Sequence, residues 1–438
     1  MRTPWRTRAC LATAGLAVLI LTPVPAYAAE PGTLTLIDVA PDGAPGNGGV
    51  GGSDVSDDGR YVAFASTSDN LVPGDVNDAT DIFVRDTLTG TTTLVSGGMG
   101  GQPADDWAEY TAAVSGNGRY VAFTSYASNL VPGDTNNERD VFVHDRETGV
   151  TTRASVFAGG RQIRGLSSAA TISDNGRWVA FITTAYGEVD DAGAPLNGQA
   201  AFVHDTRTGR TTRVSVQADG GTDLSAFQVA ISGTGTRVVF SGAGDWVGDG
   251  GTSTGVFVHD LVSGATVRAN RPAAGDGLLD ATNPSINRDG TRVSWESSSP
   301  YVAADTNDRG DVYVRDLIAD TTTLVTANRR GTGAGDSFSY SGRLTAGGRY
   351  VTFYSEATDL VARDVNGNTN DVFVRDLSTG RTTAVSAGAD GTTGNRASFD
   401  GVASANGSRV VFRSSATDLG VDPGDGREHL FVRCLRNC

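Results

Sequence analysis

Apolar residues recur along this chain in short consecutive runs, each closed by a polar turn. The first kind of run is Tyr61–Phe64, and it returns at Tyr120–Phe123, Trp178–Phe181, Val238–Phe240, Val293–Trp295, Tyr350–Phe353 and Val410–Phe412. A second kind begins at Ile82–Val84 and returns at Val141–Val143, Ala201–Val203, Val256–Val258, Val312–Val314, Val372–Val374 and Leu430–Val432. Consecutive rather than alternating apolar positions predict strands covered on both faces. Helical spacing of apolar residues is not evident after the first 28 positions, so the pattern predicts an all-β chain.

The runs keep a fixed beat. A glycine opens each run of the first kind, at Gly59, Gly118, Gly176, Gly235, Gly290, Gly348 and Gly407, roughly 58 residues apart. A Thr-rich segment such as Thr91–Leu94 follows most runs of the second kind, after a Thr-Gly turn. A short strand precedes each opening glycine, as at Thr111–Ser115. Each unit therefore reads as four strands joined by tight turns in which glycine accepts positive φ. Seven such units predict a seven-bladed β-propeller of four-stranded blades. The last unit stops after its third strand, at Leu430–Leu435. Thr33–Val39, near the start, has the pattern of a fourth strand. It is expected to close the seventh blade and to bury an otherwise open junction.

The repeated Ser-x-Asp-Gly-Arg-Tyr-Val-Ala-Phe pattern, as at Ser56–Phe64, resembles the TolB-like, WD-repeat-like propeller repeat of exported bacterial proteins. The resemblance covers nearly all of the chain after residue 28. It implies a propeller fold and an extracytoplasmic role, and it does not single out an activity.

Composition changes the picture in three ways. The net charge is −15, and all 35 basic residues are Arg. That balance argues against nucleic acid as a partner, because phosphate binding needs a basic face. Residues 1–28 read as a cleaved signal peptide: Arg2, Arg6 and Arg8, then the apolar run Leu11–Leu21, then Ala26-Tyr27-Ala28. Residues 29–438 then form one propeller domain with no membrane span, expected outside the cytoplasm as a monomer. Beyond Cys10, the two cysteines are Cys434 and Cys438, which an oxidising compartment would allow to pair.

Candidate chemistry concentrates in the connections between second and third strands. Four units carry Asp-x-Asn-x-x-x-Asp or a one-residue extension of it: Asp75, Asn77 and Asp81; Asp134, Asn136 and Asp140; Asp305, Asn307 and Asp311; and Asp364, Asn366, Asn368, Asn370 and Asp371. Oxygen-bearing side chains at such spacing suit a hard cation, so these are candidate Ca²⁺ ligands. The competing reading is turn capping. Units three and four lack the pattern, and unit seven has a degenerate form at Asp422–Glu428. His144, His204 and His259 alternate with Arg85, Arg315 and Arg375 at one repeat position, which points to structural hydrogen bonds. His429 reads as solitary. Trp107, Tyr110, Phe157, Trp246 and Tyr301 lie near blade connections and could stack on a ligand, although packing between blades is expected for at least half of them.

No Gly-x-Ser-x-Gly elbow, HExxH or P-loop occurs. The expected function is a non-enzymatic binding or scaffold propeller for a protein or an extracellular polymer, with Ca²⁺ in its loops. The alternative is a polysaccharide-active propeller hydrolase or lyase, which needs placed carboxylates.

Overall fold

The computed structural model describes residues 30–273, 279–436 and 438. The expected signal peptide, with Cys10, lies outside these residues. Seven four-stranded antiparallel sheets form the blades of a propeller. Strands are lettered A to D from the central channel outward. In blade 1 they are Val50–Val55, Tyr61–Ser66, Asp81–Asp86 and Thr91–Leu94. Blades 2 to 6 repeat this order, starting from A strands Ala108–Val114, Gly165–Ile172, Ala226–Ile231, Thr282–Ile286 and Ser339–Leu344. Blade 7 takes A to C from Ser398–Ala403, Arg409–Ser414 and His429–Cys434, and D from Leu34–Leu36 near the start of the chain. The register is Leu34↔Arg433, Thr35↔Val432 and Leu36↔Phe431. The ring is closed as the sequence predicts.

The B and C strands are dry on both sides. Val62, Ala63, Phe64 and Ala65 have no solvent exposure. Ala63 and Val84 of blade 1 pack with Val121 and Phe123 of blade 2. The paired rings of B and C stack within a blade, Phe64 on Phe83 and Phe123 on Phe142, each at 5.7 Å. Truncating one such ring to Ala costs about 3–5 kcal/mol.

The A–B turns explain the Ser-x-Asp-Gly-Arg signature. The Ser56 hydroxyl donates to Asp58 at 2.7 Å and accepts the Tyr61 N–H at 3.0 Å, while Gly59 takes φ +74. The following Arg reaches the Asp that ends strand C. These pairs are Arg60–Asp86 (2.7 Å), Arg119–Asp145 (2.6 Å), Arg177–Asp205 (2.8 Å), Arg237–Asp260 (3.1 Å), Arg292–Asp316 (3.1 Å) and Arg349–Asp376 (2.7 Å). The same Asp caps its own C–D turn, as Asp86 does for the N–H groups of Leu88 and Thr89.

At this face the seven A–B turns join in a continuous backbone ring. The N–H donors Asp57, Asn117, Asp174, Thr234, Arg288, Gly347 and Ala405 each reach a carbonyl of the next blade: Gly116, Asp174, Gly233, Arg288, Ala346, Ala405 and Asp57. Arg288 also pairs through its side chain with Asp57 and, at 2.6 Å, with Asp174. Gly116 packs closely here: a Cβ would meet the carboxylate of Asp57 and the side chain of Asp174. The ring and Arg288 constrict one end of the channel. The B–C loops and the connections between blades occupy the other face, termed the wide face.

Candidate functional site: the wide face and the channel

The Asp/Asn loops share one geometry. A residue after the Asn turns left-handed: Asp78 (φ 51), Asn137 (φ 54), Asp308 (φ 53) and, in the longer loop, Gly367 (φ 69). The final Asp opens strand C and is buried at Asp81, Asp140, Asp311 and Asp371. It accepts a hydroxyl from the exit of strand D: Ser96 (2.5 Å), Ser155, Thr326 (2.5 Å) and Ser386 (2.7 Å). The Asn amide faces two acceptors, which only its NH₂ can satisfy. Asn136, Asn307 and Asn366 donate to Asp140 (3.0 Å), Asp311 (2.9 Å) and Asp371 (2.8 Å). Each also donates to a carbonyl beyond strand D: Ile163 (3.1 Å), Gly335 (2.8 Å) and Gly394 (2.6 Å). Asn77 makes a long version of the second bond, 3.4 Å to Ala104, and a weaker approach to Asp81 that lowers the pKa of that carboxyl.

So the structure brings the third-position Asn and the closing Asp of these loops together and gives both a structural task. Asn368 stays exposed. The Asn370 side-chain oxygen is buried with no hydrogen-bond partner. The first Asp varies. Asp134 pairs with Arg153 at 2.9 Å, Asp305 accepts the Tyr313 hydroxyl, and Asp364 receives a 3.4 Å contact from Thr393. Burial, reinforced by Asp81 and Asp69, raises Asp75 to about 6. Burial likewise raises Asp311 and Asp371 to about 7. Among the described residues, no group of three His, Cys, Asp or Glu side chains is arranged to hold a metal.

The alternating His/Arg position is structural, as the repeat implies. His144, His204 and His259 bond Thr151, Thr211 and Thr266 through Nδ1 at 2.9–3.0 Å. Arg85, Arg315 and Arg375 reach the matching Thr92, Thr322 and Thr382 at 2.8–3.0 Å. His429, read as solitary, is a correction. It is buried between Asp38 (2.7 Å) and Asp425 (3.0 Å). Burial opposes its charge, but Asp38 and Asp425 outweigh burial and raise its pKa to about 9. Aligning the seven units would have found it, since His429 stands in the column of Asp81 and Asp38 in that of Ser96.

Three of the five candidate stacking aromatics are packed, in keeping with the expectation for at least half of them. Phe157, Trp246 and Tyr301 are buried between elements, whereas Trp107 (41%) and Tyr110 (51%) are exposed.

The channel holds a cavity of about 370 Å³ walled by all seven A strands. Every A–B pairing contains a register shift. In four of them a non-glycine residue is left-handed: Ala169, Asn283, Ser341 and Asp400. Such bulges re-aim side chains, and strain of this kind gathers at functional sites. Asp54, in the wall, accepts the Val114 N–H at 2.9 Å. Burial raises its pKa to about 6, against the opposing influence of that N–H and of Arg343. Around the bulges lies a run of half-buried rings, Phe338–Tyr340 (6.2 Å), Tyr340–Tyr354 (5.2 Å) and Tyr354–Phe399 (5.5 Å). Nearby acids are already engaged. Glu109 pairs with Arg139, Asp400 and Glu428 pair with Arg413 at 2.5 Å, and Glu296 accepts from Asn283 at 2.8 Å and from the Ser341 N–H. The sequence did not single these out, because they belong to no repeat.

No family model matches the chain, and no curated protein matches it. Solved structures do. Oligogalacturonate lyase from Vibrio parahaemolyticus aligns over 93% of this chain and 99% of its own, at 12% identity and TM-score 0.54. The β-propeller domain of the Trilobed protease from Pyrococcus furiosus aligns over 88% and 93%, at 12% identity and TM-score 0.51. TolB from Acinetobacter baumannii aligns over 78% of this chain at 14% identity and TM-score 0.40, and the chain spans 64% of TolB. At these identities the likeness is one of fold. The Pyrococcus propeller is described as an open velcro, whereas the ring here is closed by Leu34–Leu36.

Proposed function

We propose that the protein is an extracytoplasmic, TolB-like propeller that binds a protein or an extracellular polymer at its wide face, without catalysing a reaction and with Ca²⁺ bound among its Asp/Asn loops. One observation carries the reading. The turn motifs are consumed by the scaffold, while rings and paired acids that do not repeat from blade to blade gather around the A-strand bulges at the wide mouth of the channel. Acids held by Arg or amide groups favour recognition over proton transfer. A disulfide between Cys434 and Cys438 suits a protein outside the cytoplasm. Among the described residues, no helix is long and apolar enough to cross a membrane.

The test is retention of extracellular polysaccharide fractions and envelope proteins by the immobilised protein. Tyr340→Ala with Tyr354→Ala should weaken retention at least about tenfold, a loss of 1.4 kcal/mol. Leu88→Ala, on the opposite face, should not. Equal losses for both variants would count against the wide face.

A second reading has its own observation. Asp54, raised to about 6 and near Arg343 in the channel wall, has the titration expected of a general acid or base. It supports a polysaccharide-active lyase or hydrolase, the class of the Vibrio parahaemolyticus lyase that shares the fold. Shortening of a bound polymer by the wild type, lost in Asp54→Asn, would establish this reading in place of the first.

A further inference from the structure

The outer strand decides how each wide-face loop is neutralised. One D-strand position lies opposite the central aromatic of strand C in each of blades 1 to 6. It is Leu94 opposite Phe83, Arg153 opposite Phe142, Arg213 opposite Phe202, Arg268 opposite Phe257, Leu324 opposite Tyr313 and Ala384 opposite Phe373. Where it is Arg, the guanidinium turns towards the loops. Arg153 meets Asp134 at 2.9 Å and Asp140 at 3.2 Å, with its side chain only 7% exposed. Arg268 meets Asp249 at 2.6 Å. Arg213 donates to the carbonyls of Ser215 (3.1 Å), Pro195 (3.3 Å) and Thr222 (2.6 Å).

Blade 1 has the same two carboxylates as blade 2 but no such cation. Asp75 is 9% exposed and Asp81 1%. Asp140 Oδ2 is the oxygen that receives Arg153 in blade 2. Its counterpart, Asp81 Oδ2, is buried with no donor within hydrogen-bond length; the Asn77 amide acts on Asp81 only from a longer distance, lowering its pKa against the burial that raises it. Asp69 and Asp78 add negative charge around Asp75. Two buried carboxylates without a counter-charge are costly, and the chain supplies Leu94 where the positive charge belongs. Blades 5 and 6 also carry an aliphatic residue there, but both oxygens of Asp311 and of Asp371 already have donors.

We infer that the blade 1 loop is a divalent-cation site built on Asp75 and Asp81, and that Arg153 fills the corresponding place in blade 2 as a built-in cation. The inference rests on the reading of these loops as cation ligands and selects among them. The donors are oxygens only, two carboxylates on a loop rich in backbone carbonyls, and this set favours Ca²⁺ over softer metals.

The test is calorimetric titration of CaCl₂ into the full-length folded protein after exchange out of EGTA, with melting curves in EGTA and in millimolar Ca²⁺. The wild type should bind and melt higher with Ca²⁺. Asp75→Asn should weaken binding by more than about tenfold and remove most of the shift. Leu94→Arg should do the same while raising the melting temperature in EGTA. Asp134→Asn should leave the calcium response unchanged, and Arg153→Leu should add a binding event. If Leu94→Arg does not fold, the near-isosteric Asp75→Asn decides alone. Absence of any heat or shift in the wild type would overturn the cation reading of all the loops. Binding that survives Asp75→Asn, or that is lost in Asp134→Asn, would overturn the assignment to blade 1 and leave the general reading standing.

Discussion

Blade 7 and the other six hold the same positions with different chemistry. In blades 1 to 6 a covalent turn joins strands C and D, and an Arg–Asp pair clamps its base. In blade 7 the D strand comes from the opposite end of the chain, so no turn exists. The Asp that ends strand C is replaced there by Cys434, bonded to Cys438. Arg409, without that carboxylate, donates instead to the Cys438 carbonyl at 2.9 Å, and it keeps the bond to the next blade's glycine carbonyl, Gly59 at 3.0 Å, that Arg237 and Arg292 also make. At the wide end, the Asp–Ser pair becomes His429–Asp38, and Asp38 also accepts the Leu430 N–H at 2.9 Å. Where the backbone does not connect two strands, a buried ion pair and a disulfide stand in the place of neutral and exposed contacts.

The comparison breaks most visibly at His429. Its side chain is 1% exposed and that of Asp38 0%. Replacing His429 with Ala leaves a buried carboxylate unpaired, for an expected cost of about 3–5 kcal/mol. Chemical denaturation measures this, and a loss no larger than that of a surface pair would sink the idea of a special seventh blade. The same pair makes closure sensitive to alkali. The folded pKa of His429, about 9, lies above its ordinary 6.5. Its stabilisation is therefore complete below pH 6.5 and lost as pH rises through 9. Melting temperature should fall across that window, and His429→Gln should flatten the slope.

Cys434→Ser sharpens the comparison at the other end of the strand. Opening so short a loop should cost about 2 kcal/mol on chain-entropy grounds. An equal stability with and without reductant would argue that the tail alone holds the corner. The smallest effect belongs to the six-fold clamp. Arg60 is one-third exposed, so Arg60→Ala should cost below about 1 kcal/mol. The acid side carries a matching signature: Arg119 and Arg177 hold Asp145 and Asp205 down to about 2, so their contribution is present above pH 4 and fades as pH falls through 2.

The seven blades, their four-strand order and the closure by Leu34–Leu36 were legible in the sequence because periodicity reports burial directly. The same holds for the structural role of His144, His204 and His259, since a residue that repeats in register shares the task of its counterparts. Non-repeating partners were illegible. Asp38 and His429 stand 391 positions apart and become neighbours only when the ring closes. The burial of Phe157, Trp246 and Tyr301 depends on packing against Phe202, Phe240 and Trp295, which no local pattern encodes. No motif in the sequence marks Arg153 out. Its role appears only when strand register places it between Asp134 and Asp140.

The pairing of Leu34–Leu36 with His429–Cys434 also sets an order of events. Among the described residues, the first strand to leave the ribosome waits for the last. Six blades are built from contiguous sequence and form locally, whereas the seventh needs a contact of extreme sequence separation, the kind that slows folding. Until then the nascent ring presents a bare sheet edge in blade 7, open to pairing with other chains. The step most exposed to aggregation in this molecule is thus the final one, and it is completed by three residues.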